Sequence, residues 1–444
     1  MCIKYTIKII DKMSTPKTTP AATDGVQNAV KKIVIVGGGF AGINLAEQVA
    51  KNRNYQVILL DKNNYNYFPP LLYQVATSFL DPSDISYPFR KMFRNKRISY
   101  RMAEVVKIDP SSQTVHLTNE ELTYDYLVFA SGARINFFGM ENVQKNAIPM
   151  KTIDDALHMR NALLQTMEQA AMTKDMAERK KLLTIVVAGG GPTGVEIAGM
   201  LAEMKKNIFL KDYPELKGTP GGIYIVDGGK NLLGPMSEKT HQEAYKVLSE
   251  LGVKVKLNTQ VKDYDQHEVT LSTGETIEAG TLIWAAGITA NTFEGIPETS
   301  LGIGRRMITN EYNQVIGLEN VYAIGDASVQ ITDERYPKGH PQLAQVAIQQ
   351  GRNLAKNFIA MLKGKPLSAF NYFDKGDMAI IGRNKAVVDL FKNKLHIGGI
   401  MALFMWLFVH LISLVNYRNK LKTLYNWGTA YVSKDQSLRM IFRS

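Results

Sequence analysis

The sequence predicts an α/β chain built on two Rossmann-like dinucleotide-binding units, followed by an amphipathic helical membrane anchor at the C-terminus. Three observations carry this. Gly37-Gly38-Gly39-Phe40-Ala41-Gly42 directly follows the apolar run Ile33-Val34-Ile35-Val36. Gly189-Gly190-Gly191-Pro192-Thr193-Gly194 directly follows Ile185-Val186-Val187-Ala188. Near the end of the 444-residue chain, Ile397 to Val415 contains no formally charged residue. A buried strand before G-x-G-x-x-G and a helix-forming segment after it give that motif its meaning.

Taken in order, residues 14–30 are rich in Thr, Pro and Ala and read as part of a flexible leader spanning residues 1–30. Ile7-Lys8-Ile9-Ile10 is too short and interrupted for a secretory signal, and Met13 is a competing start. Lys31 to Asp61 reads as strand, glycine turn, helix and strand. Gly37 allows the tight turn, Gly39 lets backbone approach a pyrophosphate, and Gly42 lets helix pack on strand. Asp61 closes Gln56-Val57-Ile58-Leu59-Leu60 and lies 19 residues after Gly42, near the spacing of a carboxylate that binds ribose hydroxyls. A Pro- and aromatic-rich segment follows, Tyr65 to Gln74. Short alternating strands include Thr114-Val115-His116-Leu117, and a buried strand Tyr126 to Ala130 precedes Ser131-Gly132-Ala133. Residues from about Asp154 to Lys181 read as one or two helices.

The second unit repeats the order. Gly189, Gly191 and Gly194 take the roles of Gly37, Gly39 and Gly42. Asp227 closes Ile223-Tyr224-Ile225-Val226 but lies 33 residues after Gly194, which fits a long helix through about Leu210 and a loop rich in Gly and Pro. Strands at Val253 to Val255, Val269 to Leu271 and Thr281 to Ala285 follow, the last running into Ala286-Gly287. Two dinucleotides in one chain usually means a flavin and a nicotinamide. Gly228 and Gly229 follow Asp227, so a 2′-phosphate would meet a carboxylate with no cationic neighbour; NADH is favoured over NADPH. The plainer readings stay open here: a glycine turn that only packs a helix on a strand, and an Asp that is a solvated strand end.

Composition narrows the chemistry. The only cysteine is Cys2, which excludes disulfides, thiolate metal sites and a redox Cys-x-x-Cys. That removes thioredoxin, glutathione and lipoamide reductases and the sulfide-oxidising quinone reductases. No metal is called for. Of the net charge of +12, +8 falls in the last 70 residues, where eleven Lys/Arg face three Asp/Glu. Because this basic excess flanks an apolar run, an anionic membrane surface is the better reading and nucleic acid is set aside.

Asn320 to Ala327 reads as a short buried strand ending in Gly325-Asp326 at a helix start. Here the pattern resembles the flavin disulfide-reductase superfamily, in which such a Gly-Asp lies against the flavin ribityl-pyrophosphate. That implies a split FAD domain with an NAD domain inserted in it. Several segments together resemble the type II NADH dehydrogenases, single-subunit NADH:quinone oxidoreductases. They are Asp61-Lys62-Asn63-Asn64-Tyr65 running into Pro70 to Thr77, Gly191 to Glu196, Trp284 to Gly287, Ala323 to Asp326, and Ala344-Gln345-Val346-Ala347-Ile348-Gln349-Gln350-Gly351. One departure is Pro341-Gln342-Leu343 where Pro-Pro-Thr is expected before Ala-Gln.

The resemblance implies FAD held by Gly37, Gly39, Phe40, Ala41, Gly42, Asp61, Lys62, Ser131, Gly132, Gly325, Asp326, Gln345, Val346 and Ala347. It implies NADH held by Gly189, Gly191, Pro192, Thr193, Gly194, Glu196, Asp227, Ala286 and Gly287. Glu196 is expected to bind substrate or relay protons, with helix capping as the alternative. Gln345 is expected to hydrogen-bond a quinone carbonyl, with a satisfied polar residue at a helix start as the alternative. His340 and His410 lie near these motifs and are read as structural. The expected divisions are 31–150 and 286–385 for FAD, 151–285 for NADH, and 386–444 for membrane-associated helices. Lys392 and Lys394 before the apolar run and Arg418, Lys420 and Lys422 after it give no one-sided basic bias. Two helices lying in the interface therefore fit better than a span, with Lys434, Phe442 and Arg443 in the amphipathic remainder; a core or homodimer helix is the alternative. The expected location is peripheral, on the cytoplasmic face of a bacterial inner membrane. The alternatives are a soluble NADH-dependent ferredoxin or rubredoxin reductase, which would not need the apolar tail, and a flavoprotein like the apoptosis-inducing factors, which would hold NADH with negligible quinone turnover.

Overall fold

The computed structural model describes residues 29–433 and 438–441. The leader, apart from Ala29 and Val30, and Lys434, Phe442 and Arg443 of the tail lie outside the described residues. Runs of β-branched and leucine residues that are apolar at nearly every position suit central strands covered on both faces, flanked by more polar strands at the edge. They form two five-stranded parallel sheets. The first has the order Val321–Ala323, Tyr126–Phe129, Lys31–Val36, Tyr55–Asp61, Ile98–Met102. The second has the order Ile148–Pro149, Thr281–Trp284, Ile185–Ala188, Ile223–Val226, Val253–Lys256.

The first sheet is completed only by Val321–Ala323, so the second is inserted into it. The chain leaves along Ala133–Ile135 and returns along Ile288–Ala290, and these two segments pair antiparallel. Each unit also carries a three-stranded meander before its last buried strand: Val105–Asp109, Thr114–Leu117 and Glu121–Thr123 in one, Val261–Tyr264, Glu268–Leu271 and Thr276–Glu278 in the other. The duplication therefore extends beyond the glycine turns.

Three details differ from the sequence reading. Gly325–Ala327 is a single 3₁₀ turn leading into the strand Ser328–Gln330, rather than the start of a helix; the helix begins at Ala344. Gly325 has φ +69, a left-handed conformation that stops the chain from running on helically. The long helix from Pro192 stops being α-helical at Met204 and passes through a π-helical turn at Lys205–Phe209. In the apolar run, Ile397 is taken by a strand, Leu395–Gly398, so the helix is only Gly399–Ser413. Among the described residues, no helix is long and apolar enough to cross a membrane. A second helix, Tyr417–Ser433, follows.

The C-terminal part opens with a three-stranded antiparallel sheet, Asp377–Gly382, Lys385–Leu390 and Leu395–Gly398. It docks on the helix Pro192–Met204 through Gly199. A Cβ there would lie 1.7 Å from the Ile381 carbonyl oxygen, so backbone meets backbone with no room between. A neighbour that cannot yield makes overpacking cost ~1–3 kcal/mol. Gly199→Ala is expected to lower the thermal midpoint by several degrees. Gly428→Ala, in the exposed helix Tyr417–Ser433 with nothing within 4 Å of the new methyl, should leave it unchanged or raise it slightly. Differential scanning calorimetry of the two variants checks the pair.

Candidate active site

The two glycine turns are built alike. Gly38 N–H donates to Asp61 Oδ2 at 2.7 Å, and Gly190 N–H donates to Asp227 Oδ2 at 2.5 Å. Each carboxylate takes a second amide, from Asn63 at 2.8 Å and from Gly229 at 2.6 Å. Each strand-end acid thus fixes its own turn. Burial pushes the Asp61 carboxyl up, against the two amide bonds and the Lys62 charge, which act to lower it. Lys62 itself is exposed.

The helices Phe40–Val49 and Pro192–Met204 begin at Gly39 and Gly191, and neither start has a side-chain cap. A Cβ at either glycine would meet nothing within 4 Å. Uncapped first-turn amides at the positive end of a helix dipole, opening on unobstructed space, suit a pyrophosphate. Gly42 and Gly194 sit hard against the Gly37 and Gly189 carbonyls, which holds each helix on its strand. Pro192 and Thr193 are exposed at the second helix start.

Other predicted flavin contacts converge from distant sequence. A Cβ on Gly325 would lie 3.3 Å from the methyls of both Ala41 and Ala347. Gly351 brings the helix Ala344–Leu362 to 2.5 Å, measured from such a Cβ, of the Ala41 carbonyl. Gly325 N–H donates to buried Gln350 Oε1 at 2.7 Å. Asp326 therefore projects from a turn held between the two helices. Val346 is buried in a small cluster with Phe370 and Tyr372 instead. Gly132 opens on free space, and the Ser131 carbonyl accepts from Asn291 Nδ2 at 2.7 Å. Ala286 is exposed just beyond the end of the strand Thr281–Trp284, while Gly287 abuts the Phe138 ring. The residues present fit two dinucleotides.

Comparison with known proteins agrees with this geometry. Residues 31–351 match the pyridine nucleotide-disulphide oxidoreductase family, and residues 375–433 match the NDH2 C-terminal domain. The chain is 35% identical over 421 residues to type II NADH:quinone oxidoreductase NdhA of Mycobacterium tuberculosis, covering 91% of this chain and 87% of that one. This chain belongs to the type II NADH:quinone oxidoreductases. These are FAD-dependent enzymes that oxidise NADH and pass two electrons to quinone without pumping protons. The enzyme of Haemophilus influenzae is 28% identical, with 84% of this chain and 91% of that one covered. The structure of NDH2 from Plasmodium falciparum in complex with NADH shares the fold, with TM-score 0.84 and 22% identity over 93% of this chain and all of that one.

In this type II oxidoreductase Glu196 is not a cap. It is 8% exposed, on the helix Pro192–Met204 where that helix packs on the C-terminal sheet, and the Ile380 backbone amide acts to lower its pKa. Burial pushes its carboxyl well above the usual carboxylate range. Its neighbour Tyr73 is also buried. Gln74 Nε2 donates to the Tyr73 hydroxyl at 3.0 Å, and Trp427 Nε1 donates to Gln74 Oε1 at 2.7 Å. An aromatic line runs beside this one. The Phe40 and Phe68 rings meet edge to face at 5.7 Å, Phe68 meets His410 at 5.9 Å, and His410 stacks on Trp406 at 3.7 Å. His410 Nδ1 lies 2.8 Å from the Trp406 carbonyl, and burial holds its imidazole down at about 4, hence neutral.

Gln345 has both ends of its amide engaged: Nε2 donates to the Gly376 carbonyl and Oε1 accepts from Lys375 N–H, each at 3.1 Å. Gln349 grips Phe373 the same way, at 2.9 and 3.0 Å. Gln342, the departure from the family pattern, donates to the Asp326 carbonyl at 3.1 Å. His340 is buried against Asp333 at 3.1 Å, and burial lowers its basicity. Sequence reasoning gave no individual role to Phe68 and Gln74, which lie in the Pro- and aromatic-rich segment, or to Trp406 and Trp427, which lie in the apolar run and the amphipathic tail. It also missed Asp377, pushed up to about 6 by burial and by Asp374 and Asp389.

Two outcomes follow. Asp227→Ala should weaken NADH binding and relax discrimination against NADPH, since hydrogen bonds to a charged group contribute ~1.5–3 kcal/mol. Steady-state kcat/KM for the two nucleotides checks this, and an unchanged ratio would reduce Asp227 to a turn clasp. For Asp377 the folded acid is weaker than the unfolded one, so the unfolded chain releases its proton first and stability falls as pH rises from the ordinary Asp range to about 6. Asp377→Asn should therefore gain on the wild type in thermal midpoint across that window and run parallel to it above.

Proposed function

We propose that this chain oxidises NADH bound at Gly189, Gly191 and Gly194 and reduces a quinone drawn from an anionic membrane surface on which its C-terminal helices lie. In this reading it is a peripheral protein of the cytoplasmic face of a bacterial inner membrane. FAD, when bound, accepts the hydride and hands on the two electrons. In this reading residues 31–150 and 286–385 hold FAD, 151–285 hold NADH, and 386–444 carry the membrane-associated helices after the last strands of the C-terminal sheet.

One observation carries the membrane reading. Helix Gly399–Ser413 buries Ala402, Leu403, Trp406 and His410 while exposing Ile400, Met401, Phe404, Phe408 and Ile412. Helix Tyr417–Ser433 likewise exposes Leu421, Leu424 and Tyr425 while burying Trp427 and Ala430. So large a bare apolar surface marks an interaction site, and the basic residues beside it suit anionic lipid. The line Phe40, Phe68, His410, Trp406 supports a quinone path from this face to the flavin turn. Glu196, enclosed beside Tyr73, helps bind NADH or relay protons. Gln345, with one N–H unused by Gly376, acts on the quinone side and holds the loop of Lys375 and Gly376.

The wild-type holoenzyme should sediment with phosphatidylglycerol vesicles and oxidise NADH with a long-chain quinone dissolved in them. Phe404→Glu/Phe408→Glu should lose tenfold or more in both while keeping its FAD. High salt alone should not strip the wild type, because apolar burial is not screened. Absent turnover with the wild type overturns the enzymatic reading. Unchanged sedimentation of the variant overturns the placement of the face, and a dimer that the variant dissociates would assign it to a second copy.

A further inference from the structure

The NADH unit sends a lysine into the flavin site. Lys151 precedes the helix Ile153–Met172, whose start is a capping box: Asp155 N–H donates to Thr152 Oγ1 at 3.1 Å, and Thr152 N–H donates to Asp155 Oδ2 at 2.8 Å. The same Asp155 oxygen accepts the Lys151 N–H at 2.9 Å, and the Lys151 carbonyl accepts the Tyr67 hydroxyl at 3.1 Å. The main chain of Lys151 is therefore clamped from both units. Its ammonium lies 3.9 Å from Asp326 Oδ2, with the two side chains 30% and 21% exposed. At that separation the pair is ionic and not closely hydrogen-bonded, so the carboxylate keeps lone pairs for a ligand hydroxyl.

We propose that Lys151 is a positioning residue that balances charge in the flavin site, its ammonium offsetting the negative charge that enters with the hydride. This rests on the reading of Asp326 as a flavin contact. NADH delivers two electrons and one proton, so the site gains one negative charge as NAD⁺ forms. Reduction of the quinone removes both electrons and that proton, and a second proton from solvent completes the quinol. A fixed cation beside the ribityl-binding carboxylate favours the more negative state. An ordinary exposed ion pair would add only to stability, and little to that.

The test uses FAD-replete Lys151→Met and Lys151→Arg. Two readouts are independent of turnover: the two-electron midpoint potential, by dye equilibration, and the dissociation constant for sulfite, whose flavin adduct is anionic. Lys151→Met should weaken sulfite binding about tenfold and lower the potential by about 30 mV, the tenfold equivalent for two electrons. Lys151→Arg should restore both. Lys151→Gln, which keeps a polar end, gives the same reading should the methionine variant fold poorly. Wild-type values in the neutral variants, with FAD bound, overturn the charge role. Asp326→Asn tests the underlying placement separately, by fluorescence titration of apoprotein with FAD: weaker binding supports that placement, and wild-type affinity overturns it together with the proposal.

Discussion

Backbone touching backbone, with no side chain between, is the constraint on which this molecule depends. Gly351 lets the helix Ala344–Leu362 descend on the Ala41 carbonyl, and Gly199 lets the helix Pro192–Met204 receive the Ile381 carbonyl. The first contact draws Ala41, Gly325 and Ala347 to one point from three stretches of chain. The second presses the NADH-side helix on the sheet that carries the tail helices. A methyl group at either place would push apart the parts of the chain that these contacts join.

The local half of this architecture is legible in the sequence. Ile33 to Val36 and Ile185 to Ala188 announce buried parallel strands, and the glycines after them announce helix starts left open for phosphate. Asp61 and Asp227 can be placed by spacing, yet their grip on Gly38 and Gly190 cannot, because a hydrogen bond back to the turn depends on the side-chain rotamer. Gln345 shows the same limit. Its type and helix position are readable, but its bonds reach Lys375 and Gly376, about thirty residues on, through a loop with no periodic pattern. The apolar run from Ile397 is plain from its lack of charge, but hydropathy cannot reveal that a strand takes its first residues.

Fold and chemistry part company in the wider comparison. A sulfide:quinone oxidoreductase from Aquifex aeolicus shares the architecture, with TM-score 0.71 and 18% identity. With Cys2 its only cysteine, this chain has no pair of thiols to work with. The scaffold fixes where two dinucleotides lie and leaves the electron acceptor to residues grafted on it.

The tail helix is tied into the body as firmly as any core element. Trp427 donates to buried Gln74, Asn426 Nδ2 to Asp84 at 2.7 Å, and Asn419 Nδ2 to the Ser86 carbonyl at 2.9 Å. Shortening the gene to obtain a detergent-free preparation would therefore strand polar groups inside the protein and uncover the Trp406 ring. A water-soluble form has to be reached by repainting the outer surface, one residue at a time, with the whole chain retained.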